Sequence, residues 1–253
     1  MSTRAWVIKG DQRSLDLVVE ECPVALEYNG ISHAVMMATP TDLEDFALGF
    51  SLSEGIIEDP DQVYQLDIER TSNGVTLAIE IAGAAFDRIK RRRRQMTGRS
   101  GCGLCGAESL AEAIRPVPSV AAQHLEGSAI ENAIQALSQH QPDGRATGAS
   151  HVAAWCSPDG RILMAREDVG RHNALDKLIG ARKDHGPGFA LISSRASYEM
   201  VHKACTAGIG ALVAVSAPTS LAIDMADQAG MTLIGFARPG RYQRYDSLER
   251  INA

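Results

Sequence analysis

The sequence predicts a mixed α/β (α+β) fold, with helices covering a largely buried sheet. Three observations carry that expectation. Short apolar runs alternate with helix-period segments after residue 150, as in sheets whose strands are joined by helices. Before residue 85, strand-like segments meet at Asn29-Gly30 and at Ser72-Asn73-Gly74, which are hairpin signals. Hydrophobic residues make up 45% of the 253 and charged residues 22%, the balance of a globular chain with a full core.

In chain order, Leu15, Leu17 and Val19 alternate within a strand over Ser14 to Glu20. Val24 to Tyr28 and Ser32 to Met37 form the first hairpin. Thr41 and Glu44 form a capping box that opens a helix with an apolar stripe of Leu43, Phe46, Ala47 and Phe50, and Gly55 closes it. Val63 to Arg70 and Val75 to Ile81 form the second hairpin. Ala84 to Met96 reads as a basic helix that includes the run Arg91 to Arg94. It leads into Thr97 to Gly106, where four glycines in ten residues mark an exposed loop. Pro116 and Pro118 mark a junction, so two units are expected: a β-rich unit over 1–115, ending in the cysteine loop 97–106, and an α/β unit over 116–253.

In the second unit, Ser128 to His140 is helical, with Ile130, Ala133, Ile134 and Leu137 on one face. Strands are expected at His151 to Cys156, Arg161 to Arg166, Phe189 to Ser193, Ala211 to Ser216 and Thr232 to Ala237. Helices are expected at Asn173 to Arg182, Tyr198 to Gly208 and Ser220 to Ala229. Ligands of such sheets sit at the carboxyl ends of the strands, which singles out the loops after Ser193, Ser216 and Ala237.

Net charge is −6, which argues against nucleic acid as a partner. No apolar run approaches the roughly 20 residues that span a bilayer, and the start has no secretory pattern, so a soluble cytoplasmic protein is expected. Five cysteines at irregular spacing do not suggest a disulfide framework. Cys22, Cys156 and Cys205 read as small buried hydrophobes. Cys102 and Cys105 differ: glycines on both sides make them reachable, and Arg91 to Arg94 with Arg99 favour a thiolate. From pattern alone the pair fits a zinc site completed by distant ligands, a redox dithiol, or a persulfide carrier.

The segment Arg166 to Lys177 is a second candidate. Asn173 is placed to cap a helix, leaving Arg171 and His172 beside Gly170 at a positive helix end, which suits an anion. The plainer alternative has Glu167, Asp168 and Arg171 pairing on the surface. Ser193-Ser194-Arg195 and Phe236-Ala237-Arg238-Pro239-Gly240-Arg241 close buried strands with hydroxyls and guanidiniums, fit for phosphate or a guanine edge or for ordinary exit loops. His151 reads as structural.

The stretch Thr97-Gly98-Arg99-Ser100-Gly101-Cys102-Gly103-Leu104-Cys105-Gly106 resembles the cysteine loop of the FdhD family, the formate dehydrogenase accessory sulfurtransferases. Thr41 to Ile57, Glu167 to Lys177 and Ser193-Ser194-Arg195 resemble the same family in the same order. The resemblance implies a cytidine-deaminase-like α/β/α sandwich with a smaller N-terminal β-rich subdomain, and a homodimer. It implies that Cys102 takes persulfide sulfur from a cysteine desulfurase with Cys105 as its partner. The sulfur would pass to the bis(molybdopterin guanine dinucleotide) molybdenum cofactor, bound as substrate before insertion into the formate dehydrogenase catalytic subunit. Phe236 to Arg241 align with the family's cofactor-contacting segment, and His172, Arg171, Ser194 and Arg195 join them as candidate contacts. Gly101 stands where the zinc deaminases have proline, and no permanently bound metal is expected. A cofactor chaperone without sulfur transfer and a dithiol oxidoreductase are the alternative readings.

Overall fold

The computed structural model describes residues 1–95, 116–182 and 186–245. The expected cysteine loop, with Cys102 and Cys105, lies outside the described residues.

The chain opens with a strand that sequence pattern did not suggest, β1 (Ser2–Lys9), paired antiparallel with β2 (Gln12–Val19) as a separate two-stranded ribbon. Next come β3 (Cys22–Tyr28), β4 (Ile31–Ala38), α1 (Leu43–Ser53), β5 (Val63–Thr71), β6 (Gly74–Ile81) and α2 (Gly83–Gln95). These strands form a four-stranded sheet in the order β4-β3-β6-β5, parallel only between β3 and β6. Asn29 and Gly30 both have positive φ, 48° and 76°, as a two-residue hairpin turn requires. Asn29 also ties the turn to β6, exchanging two hydrogen bonds with the backbone of Ile81. Alternate residues Val24, Leu26 and Tyr28, with Leu77 and Ile79, point inward under Leu43, Phe46, Ala47 and Phe50 of α1.

The capping box at Thr41 does not form. The residue before α1 is Asp42, in the left-handed region (φ 50°) with no side-chain cap, and Thr39 and Thr41 make a tight backbone turn ahead of it. Thr39 is recruited elsewhere: its N–H, hydroxyl and carbonyl all bond to residues of the second sheet's motif, which diverts the chain from cap geometry.

The second sheet has six strands in the order β12-β11-β10-β9-β7-β8. Its elements are α3 (Gly127–Leu137), a short α4 (Pro142–Thr147), β7 (His151–Cys156), β8 (Ile162–Asp168), α5 (Arg171–Ala181), β9 (Phe189–Ile192), α6 (Tyr198–Thr206), β10 (Ala211–Ala214), α7 (Ser220–Ala229), β11 (Thr232–Arg238) and β12 (Arg241–Tyr245). One face carries Ala153, Trp155, Ile192, Leu212 and Leu233 against α5, α6 and α7. The other carries Val152, Ala154, Leu191, Val213 and Ile234 against α3. Helices on both faces explain why these strands are apolar throughout rather than alternating. β12 follows the strand that sequence pattern gives as the last, and it is an exposed edge strand.

The two sheets meet through α1 and α5. A Cβ built on Gly49 of α1 would land on the carbonyl oxygen of Asp176, and one on Gly180 of α5 on that of Asp45. Two glycines therefore let the helix backbones touch. No helix among the described residues is long and apolar enough to cross a membrane.

Candidate functional site at one edge of the second sheet

Strands β9, β10 and β11 are parallel, and β8 runs the same way because both β8 and β9 are antiparallel to β7. Four strands thus end at one edge, with His151 at the start of β7 directly opposite Asp168. The edge gathers Arg171 and His172 after β8, Ser194 and Arg195 after β9, Ser216 after β10, and Phe236 to Arg241 at the end of β11 and the turn into β12. A backbone ladder links the last three loops: Ser216 N donates to Ser194 O (3.3 Å), and Phe236 N donates to Ser216 O (3.1 Å). Phe236 holds φ at +50° where the β11–β12 register slips between Gly235 and Arg238. A bulge there re-aims the chain at the edge.

The Glu167-to-Lys177 motif divides into structural and free residues. Asp168 is fully buried. Its Oδ1 accepts from Gly170 N (2.8 Å) and Asn173 Nδ2 (3.0 Å), and its Oδ2 from Thr39 N (3.0 Å) and Lys177 Nζ (2.7 Å). Asn173 is therefore no helix cap; it sits inside the helix and also donates to Met37 O. Glu167 accepts from the N–H groups of Asp143 and Gly144 at the start of α4 and from the Ser150 hydroxyl. The alternative in which Glu167, Asp168 and Arg171 pair on the surface is not what forms: Glu167 binds the start of α4 and Ser150, and Asp168 joins the two sheets through Thr39.

Asp176, also buried, meets Lys203 and the Ser53 hydroxyl, and Lys203 reaches Glu54 as well (2.9 Å). Burial pushes the Asp176 carboxyl up to about 6 even with Lys203 beside it. What remains for a ligand is Arg171 and His172. Arg171 Nε and His172 Nε2 are buried without a hydrogen-bond partner. Burial, with Arg171 and Lys203 nearby, lowers His172 to about 4, so the ring is neutral at physiological pH.

Sequence pattern did not flag Glu199 or Ser197. Glu199 Oε2 lies 4.0 Å from His172 Nε2 and accepts from the Ser197 hydroxyl at 2.7 Å. Both come from the start of α6, which only the topology brings to this edge. His151, half-buried, is lowered by burial and by the nearby Arg171.

At the far side, Arg238 and Arg241 are directly opposite across a two-residue Pro239-Gly240 turn, with Gly240 at φ +77°. Like charges in cross-strand register repel unless an anion lies between them. Gly240 N is taken by Glu131 (3.0 Å). Ala237 is fully buried in the core beneath α3, so its side chain faces away from the edge. Ser194 is nearly buried and donates to Arg195 O (3.0 Å), leaving Arg195 exposed.

Cys156 and Cys205 are buried, and burial pushes both thiols up to about 12, outside the reactive range. Cys22 is half-buried and raised, first by burial. Among the described residues no group of three or more His, Cys, Asp or Glu could hold a metal ion. His124-Leu125-Glu126 has the His-x-Glu spacing that zinc deaminases use at their metal, but here the two side chains pair with each other on the exposed surface (3.1 Å).

Against known proteins, residues 19–252 match the model of the FdhD/NarQ family. A protein of Cupriavidus necator named Sulfur carrier protein FdhD is 53% identical over 94% of this chain and 84% of its own length. One of the same name from Bordetella petrii is 51% identical over 96% of this chain and 90% of its own. A crystal structure from Desulfotalea psychrophila, described as a formate dehydrogenase accessory protein, superposes with a TM-score of 0.72 at 25% identity. It covers 99% of this chain and 98% of that one.

Proposed function

The chain belongs to the FdhD/NarQ family, and from that premise we propose that it is a cytoplasmic sulfur carrier serving formate dehydrogenase. Relatives named as sulfur carriers, matched over 94% and 96% of the chain, carry this reading. The residues support the chemistry. Cys102, flanked by glycines and preceded by a run of arginines, suits a reachable thiolate.

In the proposed step, the Cys102 thiolate attacks the outer sulfur of a persulfide on a cysteine desulfurase. The donor's S–S bond breaks, a new S–S bond forms on Cys102, and the donor cysteine leaves as thiolate. Cys105 supports the hand-over. The Cys105 thiolate attacks the inner sulfur of the Cys102 persulfide, and a Cys102–Cys105 disulfide forms. The outer sulfur leaves as sulfide to the bis(molybdopterin guanine dinucleotide) cofactor, the bound substrate, before that cofactor enters the dehydrogenase catalytic subunit. A cellular thiol reductant then reopens the disulfide. The edge of the second sheet suits such a dinucleotide. Arg171 Nε and Nε2 of the neutral His172 lack hydrogen-bond partners at one end of this edge, and Arg195, Arg238 and Arg241 add positive charge farther along it. We take the working unit to be a homodimer, as the family resemblance implies.

The test is intact-mass spectrometry after incubation with an active cysteine desulfurase and cysteine. A gain of about one sulfur mass on the peptide holding Cys102 and Cys105, absent in Cys102→Ser, is the expected result. No gain on the wild-type chain would reduce the protein to a cofactor carrier.

A further inference from the structure

The β1–β2 ribbon joins neither larger sheet. Its register places Arg4 opposite Leu17, Trp6 opposite Leu15 and Ile8 opposite Arg13, so these six side chains share one face. That face is turned to solvent: Ile8 is 77% exposed, Trp6 60%, Leu15 49% and Leu17 41%. The opposite face, with Ala5, Val7, Ser14 and Asp16, is half buried, and β2 lies against α4. An isolated two-stranded ribbon is at best marginal in water, and four large apolar side chains clustered on its outer face mark a contact surface.

Charge narrows the occupant. Arg4 and Arg13 are the only ionisable side chains on that face, and neither makes an ion pair among the described residues; Arg13 stacks over Trp6 at 4.3 Å. Two copies packed through this same face would bring four guanidiniums together with no carboxylate between them, which opposes association. An apolar strip bordered by carboxylates is complementary.

Position narrows it further. α4, on which the ribbon rests, is tied by Glu167 to the end of β8, a few residues before Arg171 and His172. The ribbon therefore flanks the edge assigned to the cofactor. It also precedes the span from residue 19 that the family model matches.

From these observations we infer that the outer face of the β1–β2 ribbon docks the apo-enzyme that receives the cofactor, through an apolar strip of that enzyme bordered by Asp and Glu. The inference rests on the carrier reading above for the identity of the recipient.

The test mixes the full chain with purified apo formate dehydrogenase catalytic subunit. Hydrogen exchange is followed over residues 2–19 and affinity is measured by biolayer interferometry. Slowed exchange over 2–19 is expected, with Kd weakened at least tenfold by Trp6→Ser with Ile8→Ser and, separately, by Arg4→Glu with Arg13→Glu. The second pair keeps every apolar residue of the strip, so it decides the matter if the first loosens the ribbon. Sulfur uptake from the desulfurase stays at the wild-type level in both variants.

Unslowed exchange over 2–19, or wild-type affinity in the charge-reversed variant, overturns the proposal. So does equal slowing on concentrating the chain alone, on adding the desulfurase alone, or on adding anionic phospholipid vesicles. Absence of sulfur uptake by the wild type would sink the carrier reading instead, and a slowed ribbon would still establish the docking face.

Discussion

Lys177 Nζ lies 2.7 Å from Asp168 Oδ2, and both side chains are entirely buried. The lysine also donates to the carbonyl of Thr39, whose N–H donates back to the same carboxylate, so the pair fastens the chain just after β4 to the end of β8 and the middle of α5. Removing one member leaves the other charged and unpaired in the interior. Lys177→Met should therefore cost roughly 3–5 kcal/mol of stability, read from the urea midpoint. A loss under about 1 kcal/mol would mean that the pair contributes little.

The contact of α1 with α5 gives a second expectation. Gly49→Ala or Gly180→Ala puts a methyl where a backbone carbonyl now sits, and neither helix can yield without moving its sheet. Each should lower stability by about 2–3 kcal/mol, seen as a drop of several degrees in Tm. Gly83→Ala, where a Cβ meets nothing within 4 Å, is the control.

His172 sets a pH dependence. Its folded value of about 4 lies below the ordinary 6.5, so between those limits the unfolded chain binds a proton that the folded chain refuses. Stability should fall as pH drops from about 6.5 towards 4, by roughly 2–3 kcal/mol from this group alone. The surrounding charges are Arg171 and Lys203, which oppose protonation, and Glu199 and Glu54, which favour it. His172→Gln should flatten the fall. Identical pH profiles for the variant and wild type would show that the ring is protonated as readily folded as unfolded.

These expectations mix what could be read in the chain with what could not. Both hairpin turns, the apolar stripe of α1 and the whole of α7 follow from local pattern, because their residues satisfy their own geometry. β12 escapes because Arg241 to Tyr245 is an exposed edge strand with no alternation to read. The cap at Thr41 and the cap at Asn173 fail for a shared reason: their polar groups, or those of Thr39 beside them, are claimed by partners more than a hundred residues away. The same long-range claims sort the second motif. Sequence pattern singles out Arg171 and His172 through an Asn173 cap that does not form; burial and long-range partners make Asp168 and Asp176 structural and leave Arg171 Nε and His172 Nε2 without hydrogen-bond partners.

The cationic edge can be tested with GDP as a probe for one nucleotide arm of the proposed dinucleotide substrate. Arg171→Gln and Arg238→Gln should each weaken GDP binding about tenfold and reduce its salt dependence, while sulfur uptake at Cys102 is unchanged. Calorimetry at two ionic strengths reads both effects. Unaltered affinity in both variants would move the nucleotide away from this edge.

The chain holds two tryptophans, and the fold puts them in opposite surroundings. Trp155 is 2% exposed beneath Arg182, whereas Trp6 stands in solvent under Arg13. A collisional quencher such as iodide should therefore reach one indole and miss the other. The native protein thus carries two optical reporters without labelling: emission from Trp155 follows the integrity of the large sheet, and the quenchable fraction from Trp6 follows the state of the ribbon.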